Sequence, residues 1–148
     1  DRKMATQVLY DASLTVENSA ATARDLSARV RSVTIDQNQA MQDDTAMGDT
    51  FTSSAVGLMS WSVTVEFVQD YIADANNAVD ATLSGLLAIG KTTELVIKPT
   101  SGSVSATNPS WTGTAVLESY NPVSGTVGDE AMATATFQSA GALARATS

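Results

Sequence analysis

Hydrophobic and polar residues alternate along several stretches of the chain, the period of half-buried strands. Val8, Tyr10, Ala12, Leu14 and Val16 make one such face. Val33 and Ile35 sit in a second run, near residues 28–37. Trp61, Val63, Val65 and Phe67 alternate with Ser62, Thr64 and Glu66, and this is the clearest strand. Leu95 and Ile97 predict a short strand ahead of Pro99. Thr114, Val116 and Tyr120 predict another, over about 112–121. In the last run, Ala131 to Gln138, Thr134 and Thr136 fall on one face and Ala135 and Phe137 on the other.

One segment has helical spacing instead. Ala75, Val79, Leu83 and Leu86/Leu87 form a narrow apolar stripe over about 74–89, with Asp70 or Asp74 placed to cap its start and Gly90 to end it. Such a helix is expected to lie across one sheet face. Pro99-Thr-Ser-Gly-Ser and Asn108-Pro109-Ser110 read as turns, and Asn121-Pro122-Val-Ser-Gly125 as the hairpin between the last two strands. The polar stretch from Asp36 to Ser54 holds Met41, Met47 and Phe51 without a clean period, and reads as an extended hairpin or a mobile loop. The end, Gly141 to Ser148, has too little apolar surface to fold alone and is expected to form an arm. The chain has no internal repeat. The pattern as a whole predicts a single, mainly β domain over residues 1–148.

Length and composition narrow the chemistry. A chain of 148 residues can bury about 70% of its unfolded surface, enough for a core without staples. It has no cysteine, so disulfides, thiolate metal sites and thiol nucleophiles are excluded. It has no histidine, so a Ser-His-Asp triad, a Cys-His pair and a His-based zinc site are excluded too. No apolar run approaches the length of a membrane-spanning helix. The opening Asp1-Arg2-Lys3-Met4 leads into mixed polar sequence, so no secretory signal is expected there.

Charge is more informative in its distribution than in its total of −8. From Ser32 to Gly90 there is no Lys or Arg, while Asp36, Asp43, Asp44, Asp49, Glu66, Asp70, Asp74 and Asp80 all fall there. Such a segment repels phosphate and disfavours ordinary DNA or RNA binding. It is either a solvated face that aids solubility or a surface that faces nucleic acid without adhering to it.

Gly85-Leu-Leu-Ala-Ile-Gly90-Lys91-Thr92 satisfies the phosphate-cradling P-loop pattern. That loop needs a strand before it and a helix after it, and here the predicted order is reversed. Asp43, Asp44 and Asp49 invite a calcium reading but do not fit the EF-hand spacing. Trp61 and Trp111 are each either core or part of a sugar-binding face. Met41, Met47 and Met59 pack either into this fold or into a partner. No catalytic residue, cofactor site or metal site is expected, and the chain reads as a structural protein, not an enzyme.

Three passages resemble the tail tube (major tail) proteins of long-tailed bacteriophages. The first is Ser32-Val-Thr-Ile-Asp36 leading into Asp43-Asp-Thr-Ala-Met-Gly-Asp-Thr-Phe51. The second is Val56-Gly-Leu-Met-Ser-Trp-Ser-Val-Thr-Val-Glu-Phe67, followed by Ala78-Val-Asp80 and Leu83. The third is Ala133-Thr-Ala-Thr-Phe-Gln-Ser-Ala-Gly-Ala-Leu-Ala-Arg145. Together they span residues 32–145. The resemblance implies an antiparallel β-sandwich or partial barrel with one flanking helix, a long loop and extended termini. It implies six copies per ring, with rings stacked into a hollow tube whose inner wall is a barrel continuous across subunits. Its implied partners are other copies of the chain, a tape-measure protein and other tail proteins. DNA would pass through without specific binding, the site of action would be the virion tail, and synthesis would occur in the bacterial cytoplasm.

On that reading Asp43, Asp44, Met47, Asp49 and Phe51 belong to an inter-ring loop. Glu17 and Glu66 are candidates to face the lumen, and Leu143 and Arg145 lie on the C-terminal arm. Edge strands are a hazard in a free monomer and are covered when copies pair. Two alternatives remain at this point. One is a β-sandwich carbohydrate-binding or adhesion module. The other is a different tube-forming protein, such as a tail terminator or a secretion-system tube subunit.

Overall fold

The computed structural model describes residues 12–18, 23–69 and 79–148. Its strands are β1 (Ser13–Glu17), β2 (Ala23–Asp25), β3 (Val30–Asp43), β4 (Ser54–Val68), β5 (Thr93–Lys98), β6 (Ser110–Ser124) and β7 (Met132–Ala146), with one helix, α1 (Val79–Leu83). All seven strands belong to one sheet in the order β2-β1-β5-β6-β7-β4-β3. Every described pairing is antiparallel. The sheet curls back on itself without closing. Val33 and Ile35 of β3 line the same cavity as Ile97, Pro99 and Trp111, although their strands lie far apart in the hydrogen-bonding order. The fold is thus mainly antiparallel β with one helix, as the sequence predicts.

The core follows the alternation. Leu14, Val16, Trp61, Val63, Val65, Phe67, Leu95, Ile97, Ala133, Ala135 and Phe137 are all buried. Removing a side chain such as Phe67 or Phe137 from water contributes about 1.5–3 kcal/mol each. Val8 and Tyr10 of the first predicted face lie outside the described residues.

Strand β6 runs in the phase opposite to the predicted one. Its inward residues are Gly113, Ala115 and Leu117, while Thr114 is exposed and Val116 half-buried. Small residues carry little apolar signal, yet this position demands them, because the Trp61 ring fills the space above Gly113. A register shift between Leu117 and Ser119 then restores the phase, so Tyr120 packs against the core as expected.

The predicted helix over 74–89 is shorter at its end, and its start lies outside the described residues. Regular helix stops at Leu83, and turns carry the chain to β5. Ser84-Gly85 is a poor helix continuation, and Gly90, at φ +80°, sits in the left-handed region that suits glycine. Val79, Leu83 and Leu86 are buried, whereas Leu87 and Ile89 stand in solvent. The helix is tied to β6 by the Tyr120 hydroxyl, which donates to Asp80 Oδ1 (2.9 Å) and accepts from Gln69 Nε2 (2.9 Å). The last hairpin also turns later than expected. β6 continues through Pro122 to Ser124, and the reversal uses Gly125 and Gly128, both at positive φ.

Candidate assembly surfaces

The Asp36–Ser54 segment is neither a mobile loop nor part of the compact body. It is the far half of a β-hairpin arm. β4 pairs with β7 only from Ser62 to Val68, and from Ser54 to Trp61 it pairs with β3 alone. Residues 36–60 are all exposed. At the tip the backbone is fastened by its own side chains. The Thr45 amide donates to Asp43 Oδ1 (2.9 Å), the Ala46 amide to Asp49 Oδ2 (2.7 Å), and the Ser53 amide to Thr45 Oγ1 (2.7 Å). The Thr45 hydroxyl and amide together hold the Asp43 carboxyl below its ordinary pKa. Two of the three tip carboxylates therefore already serve loop amides, and no acidic cluster suited to a metal occurs among the described residues.

The structure gathers the predicted residues Asp43, Asp44, Met47, Asp49 and Phe51 at this tip. Met47 is 104% exposed and Phe51 86%. Along the arm Met41, Val56, Leu58 and Met59 are also exposed. So large an apolar surface on a hydrogen-bonded hairpin marks an interaction site. Val56 and Leu58 were not singled out as surface residues in the sequence, because apolar residues leading into a strand read as core.

Glu17 and Glu66 lie on the sheet face opposite the core. Glu66 sits between the buried Val65 and Phe67 and beside Thr134 of β7. Glu17 follows Val16, which faces Leu95, so it emerges beside Glu94 of β5. Glu94, Glu118 and Asp36 reach solvent on the same side of their strands, and the Glu118 carboxylate accepts from Gln138 Nε2 (2.6 Å). Glu94 was legible in the sequence, since it alternates with Thr93 and Leu95. Glu118 was not, because it stands at the register shift.

The expected C-terminal arm is corrected by the structure. Gly141 to Ala146 form the second half of β7, paired with the start of β6: Leu143 faces Gly113, and Arg145 faces Trp111. A neighbouring strand supplies the hydrogen bonds that the segment's few apolar side chains cannot replace. Leu143 packs on the core, and the Arg145 guanidinium lies over the Trp111 ring at 5.9 Å from its centre. Trp61 is 6% exposed, and its Nε1 donates to the Gly141 carbonyl at 2.8 Å. Gly85–Thr92 form the turns between α1 and β5, the reverse of the order a phosphate loop requires. No helix among the described residues is long and apolar enough to cross a membrane.

No family model matches the sequence, and no curated protein matches it. Solved structures do share its fold. The chain is similar to a protein in the virion of a native gene transfer agent particle, at 20% identity and TM-score 0.68, covering 90% of this chain and 95% of that one. It is similar to a protein in the tail of an empty gene transfer agent particle refined with helical and C6 symmetry, at 18% identity and TM-score 0.73, covering 95% and 99%. It is also similar to the SPP1 tail tube protein, at 14% identity and TM-score 0.71, covering 93% and 77%. The chain has the fold of these tail proteins.

Proposed function

We propose that this chain is the structural subunit of a phage-type tail tube, a non-catalytic protein that works by binding copies of itself. The observation that carries this reading is the β3–β4 arm. A hairpin whose tip is fastened by its own hydrogen bonds yet bears Met47 and Phe51 in solvent is shaped for a partner. On a fold shared with tail proteins, that partner is the next copy. Six copies form a ring, and rings stack by placing the arm tip, with Asp43, Asp44, Met47, Asp49 and Phe51, against the adjacent ring.

The carboxylates of Glu17, Glu66, Glu94, Glu118 and Asp36 then give the bore a negative lining. Phosphate is repelled by such a wall, so DNA slides through without adhering. A tape-measure protein occupies the same channel during assembly. The virion tail is the place of action.

The sugar-binding alternative is weaker, because Trp61 is buried and bonded to Gly141 and offers no exposed ring to a glycan. Electron microscopy of the purified, concentrated protein tests the proposal. Hollow tubes or stacked rings with six-fold symmetry are expected. A protein that stays monomeric at every concentration and salt condition would overturn it.

A further inference from the structure

Among the described residues, the large apolar side chains left in solvent fall into three groups. The arm holds Met41, Met47, Phe51, Val56, Leu58 and Met59. The end of the β6–β7 hairpin holds Val123 and Val127, and the turn between α1 and β5 holds Leu87 and Ile89. Each group comes with its own charge. The arm tip carries Asp43, Asp44 and Asp49, and the β6–β7 turn carries Asp129 and Glu130. The α1–β5 turn alone is basic: from Ala81 to Thr93 the chain has Lys91 and no acid.

These charges decide which groups can cover each other. The tip set against Asp129 and Glu130 would bring like charges together, and the Glu130 carboxylate is already paired with Arg31 at 3.1 Å. The tip set against the α1–β5 turn has apolar surface and opposite charge on its side at once. Asp43 and Asp49 are engaged by the tip amides, which leaves the Asp44 carboxylate without a hydrogen bond or ion pair among the described residues. The Lys91 ammonium is likewise unengaged there, and both residues are exposed. Position agrees with charge. β3 and β5 run in the same direction within the sheet, so the tip beyond Asp43 and the turn before Thr93 lie at opposite ends of the strands. A contact between opposite ends runs head to tail and repeats from copy to copy without closing, as a stack requires.

We infer that the Gly85–Thr92 turn is the receptor for the arm tip of a second copy, with Leu87 and Ile89 covered by Met47 and Phe51 and with Lys91 paired to Asp44. This inference rests on the self-assembly proposed above and assigns the surface that receives the tip. It also gives a use to the stretch that imitates a phosphate loop. Gly90, at φ +80°, lets the chain reverse between Ile89 and Lys91, and both stand in solvent. The lysine thus meets a carboxylate of another copy in place of a phosphate.

Exchanging the two charges tests this. Lys91→Glu sets a carboxylate against Asp44, and Asp44→Lys sets an ammonium against Lys91. At low salt, where screening is weak, each alone is expected to raise the protein concentration needed for tubes by about tenfold or more. The thermal midpoint of the monomer should stay where it is, since both side chains are exposed. The chain carrying both substitutions restores an opposite pair and should assemble near the parent's concentration. Either single variant assembling like the parent would overturn the inference, and so would a double variant that fails as badly as the singles. In both cases tubes of the parent leave the tube reading intact. A parent that never assembles would overturn the tube reading, and this contact with it.

Discussion

Trp61 and Gly113 share one space: a Cβ built on Gly113 would lie 2.6 Å from the Trp61 ring, closer than any side chain tolerates. The tryptophan reaches from β4 beneath β7 to β6, and it does so only because position 113 has no side chain. Gly113→Ala is therefore expected to force the ring out of place and to destabilise the monomer by about 1–3 kcal/mol. Urea unfolding followed by tryptophan fluorescence measures this, with a blue-shifted native emission lost in the variant. A Gly113→Ala protein as stable as the parent would mean that the ring has room to move.

The arm tip is expected to matter for assembly and not for folding. Met47 and Phe51 touch solvent, so Met47→Ser and Phe51→Ser should leave the unfolding midpoint within about 0.5 kcal/mol of the parent. Sedimentation velocity should show the loss of large assemblies in the same variants. Normal tube yield from the double variant would remove the tip from the stacking contact.

Acid should act on the tip through Asp43. Its folded pKa is lowered, first by the Thr45 hydroxyl and then by the Thr45 amide. A depressed carboxyl favours the ordered tip above its unfolded value, and this preference disappears as pH falls through the lowered folded value. The expected result is a carboxyl carbon titration by NMR with a midpoint below that of an ordinary aspartate, returning toward the ordinary value in Thr45→Ala. Equal midpoints in parent and variant would disprove the assignment.

Removing residues 141–148 should now cost monomer stability as well as assembly. The deletion takes away the Gly141 carbonyl that accepts from Trp61, the packing of Leu143 and the strand beside Ser110–Gly113. A fall in the thermal midpoint of several degrees is expected by calorimetry, which is about 1 kcal/mol or more for a domain of this size. An unchanged midpoint would mean that the segment adds nothing to the stability of the monomer.

The parts of the fold readable in the sequence are those where side-chain size and polarity agree. Trp61 to Phe67 alternates cleanly, and its buried set is the expected one. β6 was misphased because Gly113 and Ala115 are inward for reasons of space, which a hydropathy pattern does not register. The C-terminal half of β7 was invisible for a related reason. Its alanines pair by backbone, and backbone pairing is a property of the neighbour as much as of the segment. The tip residues were singled out through the resemblance to tail tube proteins, and the structure brings them together at the end of the hairpin. The parting of β4 from β7 beyond Ser62 was not, since it is a matter of three dimensions and leaves no mark in one.

The β6–β7 ladder shifts register at three places, between Gly113 and Ala115, Leu117 and Ser119, and Asn121 and Ser124. Each extra residue on one strand adds bend and coil to the sheet. The radius of any wall built from these strands is thus written in residue count, not in residue identity. Drift in side chains leaves that radius alone, whereas losing the extra residue that β6 carries between Leu117 and Ser119 would flatten it.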